Sequence, residues 1–378
     1  MRICFRSILL LICIIVSMTC ISADKNIDNE IEAYVLMEAE TGTILEAKNE
    51  NVRINAGYLT KLMSILVVAK HIESGELAID DEITASDKVS GTKGSVIWLQ
   101  SGDKISVDEL LKAVIIGNAN DAMTVLAEAV SGDVDTFVMD MNGEAFDIGL
   151  RDSYFVSPYG YADEREYTTA YDMALICSRL SKYVFLQPYF KTWRDFIKNE
   201  QVELVSENDL TRNYEPHIGF KACHSSEDRY FLAEGGINSG GNTFISVVLG
   251  AENEDISFKK GRELLKRAFS SYKVVSTEFP EEMLVPLKVK NGECSAVEIG
   301  IKEQGKAAVP KGDKEVRTKV VIPEYITAPV YEGQPVGVVA FYNGDTLVFE
   351  TDIMIKSSVR ALTLNYVLKQ TLLKMIEK

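Results

Sequence analysis

The 378-residue chain has only three histidines, and His71, His217 and His224 share no metal-ligand spacing. A glycine-rich phosphate loop is also missing, so no cofactor and no metal are implied. Past residue 23 the cysteines are reduced to Cys177, Cys223 and Cys294, an odd and sparse set that argues against a disulfide framework. Positive charge is in deficit. Lys and Arg total 40 against 56 Asp and Glu, a formal net charge of −16 that makes nucleic acid an unsuitable partner. Beyond the N-terminus no stretch reaches the roughly 20 apolar residues of a membrane-spanning helix. There is no internal repeat and no low-complexity tract.

The N-terminus carries Arg2 and Arg6, then the apolar run Ile8 to Val16, then small residues through Ala23. That order predicts a secretory signal over residues 1–23, and hence an exported, extracytoplasmic protein of the cell envelope. A lipidated Cys20 is the alternative, but Ser17 and Thr19 make its local pattern poor. Losing Arg2 and Arg6 takes the formal charge from −16 to −18. With 46% hydrophobic residues the chain has enough apolar side chains for a large core, and its length suggests about two domains.

Two apolar runs around Gly42 predict a hairpin over Ala33 to Ala47. Leu59, Leu62, Met63, Leu66 and Val67 recur at helical steps, predicting a helix from Leu59 to Ser74 closed by Gly75. Ser106 followed by Glu109 reads as a capping box opening a helical region that runs to Val130. Helical patterns also cover Val134 to Ile148, Thr169 to Ser181 and Phe258 to Phe269, and a second hairpin spans Arg229 to Leu249. Helices between terminal hairpins predict an α+β domain over residues 32–272. Short β-rich runs broken by Pro, Gly and Asn-Gly predict a small all-β domain over 273–355. The tail, 356–378, patterns as a basic amphipathic helix, suited either to peripheral contact with a membrane surface or to docking on its own domain.

Three short motifs stand in order along this frame. Arg53 to Met63, with Tyr58-Leu59-Thr60-Lys61, resembles the Pro-Ala-Ser-x-Thr-Lys-Ile-Met start of the active-site helix in low-molecular-mass penicillin-binding proteins, the D-alanyl-D-alanine carboxypeptidases. Asn118-Ala119-Asn120-Asp121-Ala122 resembles that family's Ser-x-Asn-Asp-Ala, and Gly219-Phe220-Lys221-Ala222-Cys223 its Gly-x-Lys-Thr-Gly. The likeness runs from about residue 32 to 272. It implies the family's penicillin-binding and β-lactamase-like fold, an antiparallel sheet with a helical cluster, followed by the usual β domain and tail. Each motif alone is weak; order, spacing and an export signal together are strong.

In that family a serine attacks the acyl-D-Ala-D-Ala carbonyl, and a lysine one helical turn later exchanges its proton. The resemblance puts Tyr58 at the nucleophile position, Lys61 at the base, Asn118 and Asn120 at the second motif, and Lys221, Ala222 and Cys223 on the substrate-binding strand. A phenol has a pKa near 10 and a longer reach than a seryl oxygen, so acylation at Tyr58 is unfavourable. Asn118 cannot shuttle a proton, Ala222 has no hydroxyl, and Cys223 puts a side chain where glycine is usual. Ser64 reads as packing. A Cys223 thiolate activated by nearby cations is a weaker alternative on the strand wall. The resemblance thus implies a pseudoenzyme of peptidoglycan metabolism that binds stem peptides ending in D-Ala-D-Ala, or a wall-synthesis protein. Two alternatives are an active hydrolase with a displaced nucleophile and a non-catalytic envelope assembly protein.

Overall fold

The computed structural model describes residues 27–55, 57–161, 163–225, 229–312 and 315–376. The expected signal segment, with Cys20, lies outside them. The chain divides into two units, one taking it up to Ala39 together with Glu46–Leu265, the other taking Glu40–Leu45 and everything from Lys266.

The first unit is built on a five-stranded antiparallel sheet. Its strands are β1 (Ala33–Glu38), β2 (Ile44–Lys48), β3 (His217–His224), β4 (Tyr230–Ile237) and β5 (Thr243–Ala251), in the order β2-β1-β5-β4-β3. Every residue of β1 is buried, so this strand is covered on both faces. It pairs with β5 from Ala33 opposite Leu249 to Glu38 opposite Phe244. The strand order leaves β3 at the edge.

Helix α1 (Lys61–Ser74) is the core helix: Lys61 through Ala69 are all buried. A helix that is apolar nearly all round belongs inside a domain, and α1 stops at Gly75, whose φ of 79° ends it in a left-handed turn. The sequence pattern predicts the helix from Leu59; instead Gly57–Thr60 forms a 3₁₀ turn and α1 begins at Lys61. Tyr58 therefore sits on the turn that feeds the helix.

The expected helical region from Ser106 to Val130 is corrected to two helices, α2 (Val107–Ile115) and α3 (Asn120–Ser131). Apolar periodicity runs across the join, but Asn118 adopts φ 59°, a left-handed conformation that asparagine tolerates and that turns the chain. Of the expected capping box the serine half is present, the Glu109 amide donating to Ser106 Oγ at 3.2 Å, while the Glu109 carboxylate accepts the Lys198 amide at 2.8 Å. Asp133 caps α4 (Val134–Asp147) and Thr169 caps α5 (Ala170–Leu180). Helix α6 (Glu254–Ser271) follows β5.

Asp121, at the start of α3 and 1% exposed, organises the loop before α2. Its carboxylate accepts the backbone N–H of Ile97 at 3.0 Å, of Leu99 at 3.0 Å and of Ala122 at 2.9 Å. Between two anchored peptides Trp98 is held at φ 54° with 73% of its surface exposed.

The second unit is β-rich. Ile299–Ile301, Thr346–Ile355, Pro335–Asn343 and Val316–Val321 form a four-stranded sheet in that order, over a core that includes Val289, Val339, Phe341 and Ile353. Helix α7 (Leu364–Ile376) follows, with Leu364 75% and Met375 72% exposed. No helix among the described residues is long and apolar enough to cross a membrane.

Replacing Asp121 with Ala would leave the Ile97 and Leu99 amides without an acceptor. The expected cost is about 3 kcal/mol, from one or two charge-assisted hydrogen bonds. Urea unfolding followed by circular dichroism measures it, and a loss below ~0.5 kcal/mol would remove Asp121 as the anchor of this loop.

Candidate active-site cleft

Three segments of the first unit converge: the turn Gly57–Thr60 with the first residues of α1, the bend at Asn118 that opens α3, and the edge strand β3. Close backbone approach fixes the first of them. Gly160, at φ 79°, passes so near Gly57 that a Cβ placed on it would lie 2.0 Å from the Gly57 carbonyl oxygen. Thr60 Oγ1 donates to the buried Glu166 carboxylate at 2.7 Å. Burial raises the Glu166 carboxyl above its ordinary value, against the pull of Thr60 and the Val156 amide.

Lys61, three residues beyond Tyr58, is fully buried. Its Nζ donates to the Tyr159 carbonyl at 3.0 Å and lies 4.5 Å from the centre of the Tyr58 ring. Burial, and next the like charge of Lys221, hold Lys61 well below the ordinary lysine value. Lys221, on β3 and 5% exposed, is lowered by burial too, with Glu207 and Cys223 acting in the opposite sense. Lys61 thus lies in the field of a second buried amine, and the half-buried Tyr58 ring stands over it.

Asn120 is buried and donates through Nδ2 to the Lys93 carbonyl at 2.7 Å. Tyr161 donates its hydroxyl to the same carbonyl at 2.8 Å. The Lys93-Gly94-Ser95 segment consequently lies across this side of the site. A Cβ on Gly94, at φ 84°, would come within 2.7 Å of Asn120 Nδ2 and 3.6 Å of the Tyr58 hydroxyl. The amide oxygens of Asn118 and Asn120 are both buried without a hydrogen-bond partner. Such an oxygen costs about 1–3 kcal/mol unless a donor reaches it.

Ser64 is buried and donates to the Pro158 carbonyl at 2.9 Å, as its packing reading expects. Cys223 is 5% exposed, and burial pushes its thiol up to about 12 despite the Lys221 and Lys61 charges. That shift removes the thiolate that an activated cysteine would need at neutral pH. Ala222 and Cys223 both line a cavity of about 430 Å³ at the end of β3.

Sequence reasoning therefore located Tyr58, Lys61, Asn118, Asn120, Lys221 and Cys223 in one region. It missed Glu207, Glu166, Tyr159 and Tyr161. Glu207 lies 14 residues before Lys221 in a loop, and no spacing rule joins the two. It also missed the partner of His217 at the start of β3. His217 Nδ1 and Glu234 Oε1 lie 2.5 Å apart, His217 Nε2 faces the Phe190 carbonyl at 3.2 Å, and Asn208 Nδ2 donates to Glu234 at 2.9 Å. With an acceptor at each ring nitrogen, the imidazolium is the form that satisfies both. Burial pulls His217 down, but the Glu234 charge and hydrogen bond, with the Phe190 carbonyl, outweigh it and leave His217 raised. Glu234 is itself raised by burial.

This arrangement defines the class: an α+β domain of the penicillin-recognising serine peptidase kind, with a buried core helix, a lysine at its first turn and a lysine on the facing edge strand. The D-alanyl-D-alanine carboxypeptidase family profile matches residues 20–253, and the profile of the penicillin-binding protein 5 C-terminal domain matches residues 269–361. The chain belongs to the D-alanyl-D-alanine carboxypeptidase family. It is 28% identical over 349 residues to D-alanyl-D-alanine carboxypeptidase DacF of Bacillus subtilis (strain 168), covering 91% of this chain and 90% of that protein. It is 29% identical over 328 residues to DacC of Escherichia coli (strain K12), covering 84% and 82%. Among solved structures, penicillin binding protein 5 from Haemophilus influenzae superposes with a TM-score of 0.79 at 25% identity, over 88% of this chain and 98% of that one.

The His217–Glu234 contact generates a pH signature. A histidine raised above its ordinary value of about 6.5 contributes stability that is fully present below that value and is lost as pH rises through the folded value. The raised Glu234 acts in the same sense, since burying its charged form costs stability above the ordinary glutamate value. Denaturant midpoints should fall as pH rises above about 6.5 in the parent and stay flatter in His217→Gln. Equal slopes in the two proteins would separate this pair from the pH response.

Proposed function

We propose that the chain is an exported member of its family that binds peptidoglycan stem peptides ending in D-Ala-D-Ala without hydrolysing them. The observation that carries this reading is the Tyr58 ring 4.5 Å from Lys61 Nζ. By the motif resemblance Tyr58 stands where a serine would attack, and near-attack geometry tolerates only about 1 Å of misplacement before large rate losses. Lys61 remains beside it as an amine with no small alcohol to deprotonate.

Binding without turnover has separate support. The two unpartnered amide oxygens of Asn118 and Asn120 are acceptors suited to the N–H groups of a peptide. Lys221 offers a cation for the terminal carboxylate, although the lost hydroxyl at Ala222 removes one ligand. The apolar face of α7, exposed at Leu364, Leu368 and Leu372, suits peripheral contact with a membrane surface.

The test is incubation of the purified protein with a fluorescent penicillin, followed by denaturing electrophoresis. No labelled band is expected. Calorimetry with a blocked acyl-D-Ala-D-Ala peptide should still show saturable binding, weakened about tenfold in Lys221→Met, a loss on the scale of one charge-assisted hydrogen bond. A stable covalent adduct on any residue of the parent protein would falsify the inactive assignment.

A further inference from the structure

The cavity of about 430 Å³ at the His224 end of β3 has a composition unlike that of a carboxylate site. Its wall includes two acids, Glu207 and Glu254, the aromatic rings of Tyr230 and Phe258, and Ser257. Glu254 belongs to the first turn of α6, where the Ile256 amide already donates to Asn253 Oδ1 at 2.9 Å. Among the described residues neither Glu207 nor Glu254 makes an ion pair. Ser257 is 3% exposed, and its buried hydroxyl has no hydrogen-bond partner. A buried hydroxyl left unpaired costs about 1–3 kcal/mol, and this one borders the cavity.

We propose that this cavity is a binding site for a primary alkylammonium group. An ammonium carries three donors and no acceptor, which matches two carboxylates and a serine oxygen. Its methylene stem would lie against the Tyr230 and Phe258 rings, where a cation also gains from the ring quadrupole. The volume falls within the roughly 300–1,000 Å³ of small-molecule pockets, so the site has room for more than the ammonium itself. An anionic ligand would meet two like charges. Glu207 also acts against the field of Lys61 and Lys221, so those cations are partly offset at this cavity. The amine could be a free diamine or the side chain of a lysine-like residue; the recognition chemistry is the same.

The inference does not rest on the cleft being inactive. Calorimetry on the full chain uses cadaverine as the free diamine, Nα-acetyl-lysine methylamide as the side-chain mimic, and glutarate as the anion of similar length. One or both amines should bind saturably at a single site, the tighter one identifying the source, and glutarate should give no heat. Glu254→Gln and Ser257→Ala should each weaken the amine about tenfold. Glu82→Gln removes the same charge outside the cavity and should leave affinity within about twofold, which separates the site from the general attraction of an acidic protein. Thermal melts confirm that each variant is folded. Amine binding that is absent, that Glu82→Gln weakens as much as Glu254→Gln does, or that glutarate matches overturns the proposal. None of these results bears on the penicillin experiment.

Discussion

Two amines, Lys61 and Lys221, are withdrawn from water within one another's field, and the rest of the site is organised around that cost. Desolvating a lysine disfavours its charged form, and a second lysine nearby disfavours it further. The first unit meets this cost with neutral acceptors and dispersed acids rather than with a tight ion pair. The Tyr159 carbonyl accepts a hydrogen bond from Lys61, the Tyr58 ring covers the amine, and Glu207 and Glu166 supply opposite charge from further away. A buried amine of this kind is a competent proton acceptor. What stands beside it decides whether that competence is used, and here it is a phenol ring.

Backbone geometry holds these groups in place. The close passage of Gly160 against Gly57 fixes the turn that presents Tyr58, and the left-handed Asn118 turns the chain so that Asn120 can open a helix into the site. Asp121 ties that helix to the loop carrying Gly94, whose missing side chain leaves room for both Asn120 and the Tyr58 hydroxyl. At the far end of β3, the His217–Glu234–Asn208 contact sets where the strand starts.

The end of β3 shows how a change of charge redirects a scaffold. A strand with Lys221 alone would present a cation to its ligand. Glu207 on the adjacent loop and Glu254 on α6 add two acids to the cavity wall beyond it, and Ala222 contributes no hydroxyl in return. Electrostatic identity at such a site depends on segments distant in sequence, while the fold itself is indifferent to it.

The order of the elements was legible in the sequence. Helical spacing from Leu59 to Ser74, the Ser106–Glu109 cap and the paired apolar runs at each end of the first unit are local patterns, and local patterns set helices, caps and hairpins. So was the residue type at position 58, a phenol rather than a small alcohol. The break between α2 and α3 was not legible: apolar periodicity continues through Gly117 to Ala119, and only the left-handed Asn118 with the Asp121 anchor reveals it. Nor could spacing foretell that Glu207 would face Lys221, that Glu234 would meet His217, or that burial would push the Cys223 thiol up to about 12. Sequence fixes which groups exist and which local conformations they favour. Tertiary structure alone decided which groups lose water and which charges then share a field, because desolvation and Coulomb energy depend on distances that the chain sets only by folding.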